Sequence, residues 1–380
     1  MSDGETLLLI LSLFYLSDCF LWIKKQSVAF LAPWCQRWHI AIMHTMVGNS
    51  RGGFLLANPL PPFGTVILAH VAPISISPAG VCAFNLQTLP AGRTAQTGHS
   101  LLFADVTAAS TDGLDLVINN ERFAKCATGT QARMLSDLIN EMTTTAPGDR
   151  EELLRAHLSK QFADSEASAR LAEAEEIISP IREMCLILFL LLFLLTPILS
   201  DLAGVLRLII PVGLVMIALA VEIAIMFRRA HRQFYPHETQ ERFESIVKMI
   251  LCPPVAIRAV DELSRNLLSH YNPVVLADML TGEAAGSFVR SYILDLQHPL
   301  RHEITDETSV QIMNWATAEQ LRLCLEFVDR SQHTKADELL ARPEKQRESA
   351  SYCPRCSCQF VLHAGACPDC PGVGLVAFSE

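Results

Sequence analysis

The sequence predicts a multi-domain membrane protein: three transmembrane helices, a β-rich α+β domain, an all-α domain and a small cysteine-rich module. Three observations predict it. Half of the 380 residues are hydrophobic, and the excess sits in segments 7–23, 184–202 and 208–227, each close to the roughly 20 residues that cross a bilayer. Short apolar runs punctuated by turn residues fill much of the region between the first two segments, and helical periodicity follows the third. Residues 353–370 hold two Cys-x-x-Cys pairs.

The first element, residues 1–28, reads as a retained anchor. A cleaved signal peptide carries basic residues before its apolar run. Here Asp3 and Glu5 precede the run and Lys24 and Lys25 follow it. The lysines therefore stay in the cytoplasm and the N-terminus crosses.

Residues 29–148 read as a β-rich α+β domain. Apolar runs at 39–44, 54–57, 65–70, 74–77, 81–84, 101–106, 114–118 and 123–126 are separated in places by turn chemistry. Pro78-Ala79-Gly80 suits one tight hairpin and Asn119-Asn120 another, because Gly and Asn tolerate positive φ. A helix is expected over 131–142, with Leu135, Leu138, Ile139 and Met142 on one face. Several strands closed by one helix is similar to the pleckstrin-homology-like architecture. A small α+β domain without a lipid-headgroup pocket is the alternative.

Residues 149–180 read as a helical stalk, opened by Asp149 with Glu152 three residues on and closed at Ser179-Pro180. Residues 181–228 form a transmembrane hairpin, since the residues joining its two spans allow only a tight turn. Arg182 precedes the hairpin and Arg228, Arg229 and Arg232 follow it. The basic residues keep both long soluble regions in the cytoplasm and give a multi-pass protein of the plasma or inner membrane with its N-terminus outside.

Residues 229–341 read as all helical, with expected helices at 241–251, 255–270, 274–280, 286–296 and 318–327. Asn272 and Thr317 are the expected N-caps, Gln320 completing a capping box with the latter. A polar linker, 342–352, leads to the last module.

In that module, Cys353-Pro-Arg-Cys356 and Cys367-Pro-Asp-Cys370 are separated by ten residues. Two thiolates from one tight turn bind the same ion, and two such turns close a tetrahedral shell. Residues 353–380 thus resemble a zinc ribbon, which implies structural Zn²⁺ at Cys353, Cys356, Cys367 and Cys370 with strands at 360–362 and 373–378. The short spacer and two further potential ligands, Cys358 and His363, depart from the family pattern. A redox Cys-x-x-Cys pair needs no second copy at this spacing and usually opens a helix. Four thiolate ligands leave no position for water or substrate, so the metal stabilises the fold.

Two weaker signals remain. Asp18 lies six residues before Lys24 and Glu222 six before Arg228, which places both carboxylates roughly 9 Å inside the cytoplasmic boundary. Such acids mark ion or proton paths, or snorkel and pair with nearby bases. His298 and His302, with Asp295 and Glu303 beside them, have the four-residue spacing of helical metal sites, but Pro299 interrupts that face and favours a capping role.

Composition excludes other classes. The net charge of −10 and a ribbon whose only Lys or Arg is Arg355 leave little for a nucleic-acid backbone to grip. The twelve cysteines are mostly scattered singly, as in a reducing compartment. No phosphate-cradling glycine loop or Gly-x-Ser-x-Gly elbow occurs. The reading is a non-enzymatic, membrane-anchored scaffold whose partners are the bilayer and either another protein or a second copy. The alternative is a membrane enzyme or small oligomeric transporter using Asp18 and Glu222.

Overall fold

A computed structural model describes residues 2–21, 27–33, 45–47, 64–70, 72–88, 94–281, 285–298, 306–331, 335–370 and 372–378. The expected runs at 39–44 and 54–57 lie outside them. The contacts gather the chain into two units, each discontinuous in sequence: Met1–Val71 with Asp164–His270, and Ala72–Ala163 with Tyr271–Glu380. The architecture mixes α-helices with small antiparallel sheets.

The first unit is built on a helical hairpin. α4 (Asp164–Leu190) runs through a π-helical stretch, Leu191–Leu195, into α5 (Thr196–Ala203). Pro197 cannot donate to the carbonyl of Phe193, and the widened turn precedes it. Thr196 returns both its backbone N–H and its hydroxyl (2.6 Å) to the Leu191 carbonyl. Gly204, at φ 80°, turns the chain into α6 (Val205–Phe234), a conformation that costs an L side chain energy. The inner face of α6 is a stripe of Ala220, Ile223, Ala224, Phe227, Ala230 and His231, all buried, at the spacing of one helix face packed on another. Its outer face is apolar yet uncovered. Among the described residues, Asp164–Ala203 and Ile210–Phe234 are the two stretches long and apolar enough to cross a membrane.

The first apolar segment, 7–23, is helical as α1 (Asp3–Leu21). α1 packs along α5, and the backbone N–H of Gly4 donates to Asp201 Oδ1 at 2.8 Å. A Cβ on Gly4 would lie 2.5 Å from the Pro197 carbonyl oxygen, so glycine is what allows this approach.

Three strands complete this unit. β1 (Ser27–Pro33) pairs antiparallel with both β2 (Thr45–Val47) and β3 (Gly64–His70). The outer edge of β3 is closed by the helical segment that starts with α9 (Ala259–Ser264). Leu68 N donates to Arg265 O (2.9 Å), His70 N to Ser269 O (3.2 Å) and Ser264 Oγ to Val66 O (3.1 Å). Consuming the edge in this way removes a template for unwanted strand pairing. Asp261, fully buried, accepts from Val66 N, and Arg265 pairs with Glu241 and Glu262. The unit also holds α7 (Thr239–Leu251) and α8 (Pro253–Ala256). The helix expected over 255–270 is therefore broken into α8 and α9, with turns between and after them.

The second unit opens with β4 (Ile74–Ile76), β5 (Gly80–Thr88) and β6 (Thr94–Leu102), paired in that order. The expected hairpin at Pro78-Ala79-Gly80 joins β4 to β5, with Ser77 N donating to Gly80 O at 2.9 Å. β7 (Ala109–Asp112), β8 (Asp115–Ile118) and β9 (Glu121–Lys125) form a second sheet. Asn119 and Asn120 both have positive φ, 55° and 65°, at the β8–β9 turn, as two-residue hairpins require. The strand expected over 101–106 instead ends at Leu102, and β7 was not anticipated.

α2 (Gly129–Thr144) closes the sheets with Leu138, Ile139 and Met142 buried, Thr128 accepting from Gln131 N as its cap. The stalk expected over 149–180 is not one continuous helix. α3 (Arg150–Ser159) passes into a 3-10 turn, Lys160–Phe162, and Ala163 (φ −83°, ψ 80°) leaves helical geometry before α4 begins. Asp149 makes no side-chain capping bond, and α4 continues through Pro180.

α10 (Pro273–Thr281), α11 (Ala285–Gln297), α12 (Glu307–Arg330) and α13 (Ala336–Leu339) follow. α12 starts eleven residues before the expected 318 and packs on β4–β6. Thr317 is inside it, and Asp306 is the cap. The core runs from Ile74, Val81 and Phe103 through Leu116 and Ile139 to Leu154, with Trp315 of α12 packed against it. The unit ends in β10 (Ser351–Tyr352), β11 (Gln359–Phe360) and β12 (Val376–Ala377).

Candidate metal centre

Two tight turns present the four expected cysteines. In the first, Ser357 N donates to Cys353 O and Cys353 N to Cys358 O, both at 2.9 Å, with Ser357 at φ 60°. In the second, Val373 N donates to Cys370 O (3.0 Å), Cys367 N to Val373 O (2.9 Å), and Gly372 has φ 82°. Each turn thus points two sulfurs the same way. The two expected strands do not pair with one another. β11 and β12 flank β10 on opposite sides, and Tyr352 stacks obliquely on Phe378 at 5.0 Å.

The Sγ atoms of Cys353, Cys356, Cys367 and Cys370 lie within 4.8 Å of one another. Cys356 and Cys367 are 3.8 Å apart. A tetrahedron with metal–sulfur bonds of about 2.3 Å has edges of about 3.8 Å, whereas a disulfide is about 2.0 Å. The set therefore fits one tetrahedral metal ion, and these four cysteines are free thiols. Cys353, Cys367 and Cys370 are buried with Val373, and Phe360 and Leu375 pack against them. Cys358 and His363 are exposed and stand outside the cluster. No helix starts at either pair, unlike a redox Cys-x-x-Cys.

The metal module is fixed to α11, which sequence reasoning missed. Arg355, inside the first Cys-x-x-Cys, donates to Asp295 at 2.6 Å. Arg290 donates to Ser357 Oγ (3.2 Å) and to Ala341 O (3.1 Å). The signal was a charged residue within each partner segment, legible only once α11 and the module are known to meet. His298, one turn from Asp295, has its imidazole pKa lowered by partial burial and by Arg355. His302 and Glu303 lie outside the described residues.

Glu222 is exposed on the outer face of α6. Asp18 falls within α1, but its side chain is outside what the structure describes. No protein-family model, curated protein or solved structure matches this chain.

Proposed function

We propose that the protein is a membrane-anchored scaffold, crossing the bilayer three times and holding one structural zinc ion in a C-terminal ribbon. Its soluble surfaces, on the cytoplasmic side, bind another protein or a second copy of the chain. The observation that carries this reading is the uncovered apolar face of the α4–α6 hairpin. Leu202, Leu206, Ile210 and Leu214 are 64–89% exposed, on helices whose opposite faces are already packed. Water does not tolerate a surface of that kind, and lipid does.

Support for α1 as the third span is its bond to Asp201. That contact sets the start of α1 at the turn end of the hairpin, so its Leu21 end, which Lys24 and Lys25 follow in the sequence, is on the side of Arg182, Arg228, Arg229 and Arg232. The charge bias then agrees across all three helices. The closed shell of four thiolates supports zinc in a structural role, and the engagement of Arg355 with Asp295 leaves the ribbon without a free cation for nucleic acid.

Affinity isolation from mild detergent, scored against a tag-only control, tests the scaffold. A stoichiometric protein partner, or a defined homo-oligomer free of small molecules, is expected. A lone oligomer that retains a small molecule, and loses function in both Asp18→Asn and Glu222→Gln, would instead establish the enzyme or transporter.

A further inference from the structure

α7 carries an exposed apolar face beside its exposed Gln240, Glu244 and Lys248. Ser245 and Met249 are buried and Glu241 reaches inward to Arg265, while Phe243 and Leu251 stand 68% and 79% exposed and Ile250 40%. Phe243, Val247, Ile250 and Leu251 recur at i, i+4, i+7 and i+8, one face of a helix. In water that face would be a liability.

Its depth points to the occupant. α8, which follows directly, packs on α1, α4 and α6, and Cys185 Sγ donates to the Ala256 carbonyl at 3.4 Å. Cys185 lies one turn beyond Arg182, at the boundary where the apolar run of α4 begins. Leu251, two residues before α8, therefore lies near the level at which the hairpin's apolar surface starts. Exposed Arg228, Arg229 and Arg232 in the last turns of α6, and Lys248 on α7, supply charge suited to phosphate headgroups at that level.

We propose that α7 is an interfacial helix, lying along the cytoplasmic leaflet with Phe243, Ile250 and Leu251 sunk among the phospholipids. This rests on the membrane reading above and deepens it: the same unit that crosses the bilayer also lies on it.

The test places a tryptophan at each of three exposed sites, Phe243→Trp, Leu251→Trp and Ile217→Trp, in the whole protein. Ile217 is about 16 Å along α6 from Arg228, near mid-bilayer. Each variant is reconstituted into phosphatidylcholine and phosphatidylglycerol vesicles brominated either near the headgroup or deep in the acyl chain. The emission of the four native tryptophans is subtracted using the unsubstituted protein. The expected result is that Phe243→Trp and Leu251→Trp lose most of their added emission to shallow bromines, and Ile217→Trp to deep ones. Deep quenching of Ile217→Trp with neither α7 variant quenched by lipid overturns the proposal alone. Acrylamide then tells whether water or protein covers the face. Failure of all three to quench overturns the membrane reading together with it.

Discussion

Asp306 begins α12 by accepting four hydrogen bonds. Ser100 Oγ donates at 2.5 Å, Ser309 through its hydroxyl (2.6 Å) and N–H (2.9 Å), and Thr308 N at 3.3 Å. These donors, Ser100 foremost, hold its carboxyl at about 2, below the ordinary 3.8. A carboxyl depressed in the folded state stabilises while it is ionised, so its contribution is complete above the unfolded value and is lost as pH falls towards about 2. Asp306→Ala is therefore expected to raise amide exchange in the first turn of α12 at neutral pH. The difference from the unsubstituted protein should shrink between about pH 4 and about pH 2; equal exchange at neutral pH would leave the cap without weight. The sequence points to a cap at Thr317 because the apolar periodicity is clearest from Ala318 on. Asp306-Glu307, an acidic start of ordinary kind, was legible but masked by the polar residues that follow it. Gly4 was not legible at all, since only contact with α5 gives it meaning. A Cβ there meets the Pro197 carbonyl at 2.5 Å, while one on Gly213, inside α6, meets nothing within 4 Å. Gly4→Ala should destabilise the protein in detergent by about 1–3 kcal/mol through overpacking, and Gly213→Ala should be neutral or slightly stabilising. Paired thermal melts compare them directly.

Elements whose causes are local were read well, and those whose causes are distant were not. Gly80 and the Asn119-Asn120 pair carry their turns in their own backbone freedom, so both hairpins were found. β1 has no local signature because its pairing partner β3 begins thirty-one residues after β1 ends, and the break in the expected stalk is silent in the sequence because Ala163 offers no turn signal. The cysteine turns depend only on spacing and were placed correctly; their attachment to α11 depends on Asp295 and Arg290, far away in sequence. That attachment changes what losing the metal does. A module of about thirty residues cannot bury enough apolar surface to fold alone, and a structural zinc site contributes on the order of 10 kcal/mol or more. Purified protein is expected to carry one zinc per chain by elemental analysis, and Cys356→Ser or Cys370→Ser to lose it. The polar linker over 342–352 suggests damage confined to the ribbon, but the Arg355–Asp295 pair carries it further, so amide exchange should rise in α11 as well as in residues 353–378. Stoichiometric iron, or full zinc retention in both variants, would show the site to be misassigned.

At the scale of the whole molecule, composition marks two described stretches long and apolar enough to cross a membrane, and under the proposed topology a bilayer imposes a length and a sign on every helix that crosses it. What composition and charge do not specify is which stretches assemble together. Residues 27–33 and 64–70 belong with the hairpin rather than with the strands that follow, because β3 delivers its free edge to the carbonyls of Arg265 and Ser269. No local pattern announces that choice. The proposed orientation rests on a chain of contacts and charges within the first unit. Asp201, just before the Gly204 turn, bonds to Gly4, so α1 and the hairpin turn share one end. The opposite end is followed by Lys24 and Lys25 and carries Arg182, Arg228, Arg229 and Arg232. Both soluble regions are therefore expected in the cytoplasm, and reporter fusions placed after Gly148 and after Glu380 should agree. Moving the charge should move the protein. Replacing Lys24 and Lys25 with Gln while placing two lysines at Asp3 and Glu5 inverts the bias across α1 alone, leaving α4–α6 as they are. Because Gly4 must still meet Asp201, the inverted charge opposes the packing, and the two cannot both be satisfied. A fusion after Glu380 should stay cytoplasmic while membrane-inserted yield falls. Opposite locations for the two fusions in the unsubstituted protein would mean that one of the two hairpin helices does not cross.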